Sequence, residues 1–220
     1  RDLSRSHFIV TPTGEIEFVQ IASASEEEGL DALIGRLQEM LANEARAFEI
    51  LAGDGAYGAA ERLGMIAILA TATGSQGMTG GQAVDLESEG RQLVAADLEA
   101  LDRDKTGKLI RAAVLMPCCA VPDLPAASRD ALDHFAECIG LAFQIKDDVL
   151  DVEGEQALTG KTQGADAARG KATYPSLMGM DDAKRRADAL YADALAALER
   201  FGDAAEPLRW LARYIVHRDR

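Results

Sequence analysis

The stretch 128–152 constrains the fold more than any other part of the chain. Leu132, Phe135, Ile139 and Phe143 recur at steps of three or four residues, which is the buried stripe of a long helix. The same row then runs into Asp147, Asp148 and Asp151, in the string FQIKDDVLD. On a helix, residues 147 and 151 stack one turn apart and 148 sits beside them. Carboxylates that continue an inward apolar row are costly unless a cation meets them. They also fall near a helix C-terminus, where the helix dipole disfavours anions. Two local rules broken in one place mark either a functional site or a helix end frayed into solvent with its acids exposed. Hard oxygen ligands at this spacing suit Mg2+, which takes a few carboxylates and completes its shell with substrate phosphates.

The rest of the chain from residue 57 onward is also helical in pattern, with helices expected near 57–73, 78–88, 93–116, 128–152, 181–201 and 204–217. Before it, Ser25 caps a box closed by Glu28. An apolar stripe through Leu30, Leu33, Leu37, Met40, Ala47, Phe48 and Leu51 follows, ending at Gly53-Asp54-Gly55. That stripe is either core-facing or a helix-to-helix dimer seam. Only residues 7–21 differ: two β-prone runs flank Pro12-Thr13-Gly14-Glu15, a hairpin signal. The fold class expected is therefore all-α, a helical bundle with a short N-terminal β-hairpin.

A formal net charge of −14 argues against nucleic acid as a partner, since phosphate backbones need a basic surface. No apolar run reaches the ~20 residues of a membrane span and no secretory pattern opens the chain. The three cysteines, Cys118, Cys119 and Cys138, form no disulfide framework and point to a reducing, cytoplasmic setting. They read as small buried hydrophobes; His134 and Cys138, four apart, could form half of a zinc site that nothing else completes.

Three further groups stand out. In GMTGGQAVDL, residues 77–86, glycines that cost a helix ~1 kcal/mol each suggest close backbone approach to a ligand or a neighbouring helix, or simply a helix junction. Gln82 and Asp85 share a face there. Lys105-Thr106-Gly107, in RDKTGKLIRAA, is weak by itself. The stretch 154–175, with Gly154, Gly160, Gly164, Gly170 and Pro175, reads as a long loop carrying Lys161 and Lys171. Loops of that length are usually functional or disordered, and lysines near carboxylates can neutralise diphosphate beside a metal.

Taken in order, GMTGGQAVDL, DKTGKLIRAA, LAFQIKDDVLD, GKTQGAD and GKATYP resemble the C-terminal portion of the trans-prenyl diphosphate synthase family, of the bacterial farnesyl diphosphate synthase type. The resemblance covers about residues 47–220 and leaves 1–46 as a separate N-terminal segment. It implies an isoprenoid-synthase-type helical bundle, incomplete here, that condenses isopentenyl diphosphate with an allylic diphosphate using Mg2+, as a homodimer. By the same resemblance Asp147, Asp148 and Asp151 hold metal. Lys105, Lys161 and Lys171 bind diphosphate, while Thr106, Gln82 and Gln144 line the catalytic site.

Two features depart from the family pattern. Asp102 stands where the family usually has a histidine, three residues before the lysine of KTG. Asp147–Asp151 is the only DDxxD in the chain, so the family's first aspartate-rich motif and its upstream basic motif have no counterpart. The expectation is of little or no synthase activity from the chain as written. A non-catalytic synthase-like subunit or a class I terpene cyclase are the alternatives; the KTG and GKATYP pieces favour the synthase.

Overall fold

The computed structural model describes residues 6–10, 16–20, 48, 51, 53, 57–88, 93–153 and 172–218. The expected hairpin forms: β1 (Ser6–Val10) and β2 (Ile16–Gln20) pair antiparallel, with Phe8 opposite Phe18. Of the long helix expected before residue 53, only Phe48 and Leu51 are described; both are helical and half-buried. The Ser25 cap and the rest of that stripe lie outside the described residues.

The helical part starts at α1 (Ala59–Thr73), followed by α2 (Met78–Glu87). Helix α3 (Ala95–Asp102) passes without a break through a π-helical turn, Arg103–Gly107, into α4 (Lys108–Leu115). The junction residues Arg103 and Lys108 keep right-handed helical dihedrals, so the three pieces make one rod. This matches the single helix expected over 93–116, apart from the π turn. That turn is made where the Lys108 N–H reaches back five residues to the Arg103 carbonyl.

Helix α5 (Ala126–Glu153) is the axis of the molecule; its 28 residues span about 42 Å. The stripe foreseen in the sequence is its buried face: Phe135 and Ile139 are 1% exposed and Phe143 is buried, with Leu132 half-buried at its start. Helix α7 (Met180–Ala197) packs along it through Ala183, Ala187, Leu190 and Ala194, all buried. These small residues at three- and four-residue steps let the two helices lie close together. Burial of each Phe, Ile or Leu in this seam contributes about 1.5–3 kcal/mol. A 3₁₀ stretch (Glu199–Ala205) then leads into α8 (Glu206–His217), whose Ala212, Ile215 and Val216 close the other side of the core.

One expectation is corrected. The loop read over 154–175 ends sooner, because α6 (Tyr174–Met178) begins inside it. Pro175 is no loop marker here: it sits in the first turn, where its missing N–H is no loss. Thr173 caps the helix: its hydroxyl accepts from the Ser176 N–H, and Ser176 Oγ accepts from the Thr173 N–H at 3.0 Å. Residues 154–171, with Lys161 and Lys171, lie outside the described residues.

Candidate active site

The candidate residues gather where three elements cross. Gly81 of α2 lies so close to the π turn that a methyl group there would come within 2.5 Å of the Lys105 backbone nitrogen. On the other side of the turn, Gly107 rests on Gly140 of α5; a Cβ on Gly140 would meet the Gly107 Cα at 3.1 Å. The glycines that seemed out of place in helices are thus the contact points that bring α2, the π turn and α5 together. Two readings of GMTGG are both met: Gly77 and Gly80 crowd the backbone of the α1–α2 junction, and Gly81 approaches the neighbouring rod.

Lys105 and Thr106 are half-buried in the π turn. The Lys105 ammonium forms an ion pair with the carboxylate of Asp85, four residues after Gly81 on α2. Asp85 and Gln82 share a face of α2, and of the two it is Asp85 that meets the lysine; Gln82 is exposed. Gln144 is half-buried on α5, next to buried Phe143 and one turn before the aspartates.

Asp147, Asp148 and Asp151 are neither frayed nor freely exposed: α5 continues past them to Glu153, and all three are half-buried. Asp148 and Asp147 each meet a hydrogen-bond donor from a distant part of the chain. Asp148 Oδ2 accepts the Tyr174 backbone N–H at 2.9 Å, at the start of α6. Asp147 pairs with the guanidinium of Arg218, which follows the last turn of α8. The Arg218 guanidinium also lies over the Phe143 ring, 4.5 Å from its centroid. The sequence had called for a cation to meet inward-facing acids; for Asp147 that cation is Arg218, 71 positions away in the chain.

Asp102, the residue that departs from the family pattern, is buried beside the fully buried Tyr174. Burial first, and then the neighbouring Asp102 charge, push the Tyr174 phenol far above its usual pKa. Tyr174 therefore joins the rod of α3 to the aspartate end of α5. Sequence reading missed both Tyr174 and Arg218. The GKATYP string was the only signal for the tyrosine, and nothing local marked the arginine.

His134 and Cys138 do approach, with Sγ 3.7 Å from Nε2, but among the described residues no group of three His, Cys, Asp or Glu could hold a metal by itself. Cys118 and Cys138 are buried and Cys119 half-buried, all as free thiols.

An all-helical bundle with a π turn carrying a lysine against an aspartate-rich helix end defines a class of isoprenoid-synthase-like protein, and comparison with known proteins agrees. The polyprenyl synthetase family model matches residues 39–206. Farnesyl diphosphate synthase of Escherichia coli (strain K12) is 44% identical over 163 residues, 73% of this chain and 54% of that protein. Among solved structures, an FPP/GFPP synthase from Zymomonas mobilis in its apo form superimposes with a TM-score of 0.71 at 36% identity, covering 83% of this chain and 61% of that one. A geranyltransferase from Helicobacter pylori, complexed with magnesium and isoprenyl diphosphate, gives 0.65 at 29% identity, covering 85% and 60%. The chain belongs to the polyprenyl synthetase family. It spans about half the length of the curated relatives it matches. Among the described residues no helix is long and apolar enough to cross a membrane.

Proposed function

We propose that this chain carries the diphosphate- and metal-binding half of a short-chain prenyl diphosphate synthase, of the farnesyl type. The reaction condenses isopentenyl diphosphate with an allylic diphosphate. The observation that carries the reading is the crossing at Gly81, Gly107 and Gly140, where the π turn bearing Lys105 is pressed between α2 and the aspartate-bearing helix. Similarity to farnesyl diphosphate synthases over three quarters of the chain supports the same assignment.

The donor chemistry fits Mg2+. Asp147, Asp148 and Asp151 offer hard oxygens on one helix, although by themselves they form no group of three that encloses an ion. Mg2+ is held by one or two carboxylates, with waters and phosphate oxygens completing its octahedron, so an open set of this kind is what it uses. The Helicobacter pylori relative was solved with magnesium and an isoprenyl diphosphate, which supports the same ligands here. When bound, the metal offsets the negative charge that builds on the departing diphosphate.

The chain's own groups do the rest. Lys105, with Lys161 and Lys171 from the 154–171 stretch, binds the allylic diphosphate and stabilises it as it leaves. Asp85 holds the Lys105 ammonium in place until the anion arrives. Thr106, Gln82 and Gln144 are assigned to lining the site, where polar oxygens steady the allylic cation and guide proton loss. Residues 1–46 lie outside this functional unit. The enzyme works in the cytoplasm as a homodimer; free cysteines and the apolar stripe through Leu37, Met40, Phe48 and Leu51 support this.

Calorimetry with Mg2+ and inorganic diphosphate tests the site. Wild-type chain binds both together, and Asp147→Ala loses most of that binding; equal binding by the mutant overturns the assignment.

A further inference from the structure

Arg218 has no part in the reading above, yet it forms an ion pair with the site's first carboxylate, Asp147. Its side chain is 4% exposed and that of Asp147 12%, so the ion pair is largely shielded from water. The guanidinium is further fixed by Phe143, one helical turn before Asp147 on α5. Its own backbone is held by the Arg218 N–H, which donates to the Tyr214 carbonyl at 3.0 Å as the cap of α8. A buried carboxylate left without a countercharge is strongly destabilising. The fold supplies that countercharge from the far end of the described chain.

We propose that Arg218 is a positioning residue that stands in for the metal at Asp147. It holds the carboxylate inward and neutralised while no metal is bound, and a divalent cation competes with it. This rests on the reading of Asp147 as a metal ligand. The two cations want the same charge, and a metal bound there makes the guanidinium redundant and surrounded by positive charge. Metal binding then frees the Arg218 side chain and loosens the cap of α8. The rest of that helix stays in place, since Ile215 and Val216 are buried in the core. The site's apparent metal affinity is lower than its intrinsic affinity by the fraction of molecules in which Asp147 is free of Arg218.

The experiment uses the full chain and Mn2+ as the probe, with bound and free ion distinguished by electron paramagnetic resonance, with and without inorganic diphosphate. If the pair is formed in nine molecules of ten, Arg218→Gln binds Mn2+ roughly tenfold more tightly than wild type. Arg213→Gln, which removes an exposed charge from the same helix, leaves affinity within about twofold, as expected for a screened surface charge. In wild type, amide exchange at residues 216–218 speeds up when Mn2+ is added. If Arg218→Gln does not fold, Arg218→Lys, which keeps the charge but not the planar fork, shows a smaller gain. Together with wild-type exchange it decides the matter. Unchanged affinity in the Arg218 variants, an equal gain in Arg213→Gln, or no change in exchange overturns the proposal and leaves the metal site standing. Absence of Mn2+ binding in wild type and variants alike overturns both.

Discussion

The Tyr174 backbone N–H donates to Asp148 Oδ2 at 2.9 Å, joining the first turn of α6 to the last turns of α5. The bond makes one aspartate of the candidate metal set a structural anchor as well, and the two roles can be separated by substitution. Asp148→Ala removes the acceptor and is expected to cost about 1.5–3 kcal/mol of stability, the range for hydrogen bonds to charged groups. Asp148→Asn keeps an acceptor oxygen and loses less in urea denaturation. Both lose the charge, so calorimetric binding of Mg2+ with diphosphate should fall in both. An asparagine variant that binds as well as wild type would remove Asp148 from the metal set.

The crossing at Gly81 is expected to tolerate no side chain. A methyl there meets backbone at 2.5 Å, and backbone cannot swing aside as a side-chain tip can. Gly81→Ala should destabilise by about 1–3 kcal/mol, the usual cost of overpacking, and weaken diphosphate binding by moving Lys105. Gly140→Ala, with its nearest contact at 3.1 Å, should cost less. Urea midpoints for the two variants check the order; equal midpoints would mean that the elements are not so tightly pressed.

Stability should fall on the alkaline side. Burial pushes the Cys138 thiol up to about 11, from an ordinary value of 9.0. Between those values the unfolded chain releases the proton and the folded chain keeps it. The neutral-thiol contribution is therefore present below pH 9 and lost as pH rises toward 11. The loss is expected to reach about 1–2 kcal/mol, and Cys138→Ala should remove that part of the slope. Above pH 10 the buried Tyr174 phenol, also shifted upward, adds a loss of its own. Thermal melts of the wild type and Cys138→Ala from pH 8 to 11 measure it.

As a catalyst, the chain assayed alone with Mg2+, isopentenyl diphosphate and geranyl diphosphate should turn over far more slowly than a complete synthase. Its sequence holds one aspartate-rich motif, Asp147–Asp151, where the family uses two. Each ~1.4 kcal/mol of lost transition-state stabilisation is a factor of ten in rate. Turnover comparable to a complete enzyme would show that other residues replace the second set of ligands.

Helix positions and the hairpin were legible because each rests on local periodicity: the stripe Leu132–Phe135–Ile139–Phe143 and the alternation around Pro12-Thr13-Gly14 carry their own period. The inward facing of Asp147 was legible for the same reason, being the next step of that stripe. The partner of Asp147 was not, because an ion pair between residues 147 and 218 leaves no periodic trace. Helix α6 was hidden by Pro175, since proline marks both loops and first helical turns and only the Thr173 cap distinguishes them. Asp85 was passed over in favour of Gln82, its neighbour on the same face. Which of the two meets the lysine depends on how α2 sits against the π turn, and that is set by contacts distant in sequence.

The π turn at Arg103–Gly107 has a consequence for how the bundle is wired. Adding one residue to a turn rotates everything after it by about 100° relative to a regular helix. A single rod therefore serves different neighbours along its length: α2 and α6 with Tyr174 pack on its first half and α1 on its second, while α5 meets both. Lys105 and Thr106 lie at the point of rotation, on the π-helical stretch between the two α-helical halves. A residue inserted or lost anywhere in 103–107 would turn one half of the rod out of phase with the other. The length of that five-residue segment is thus fixed by the packing on both sides of it.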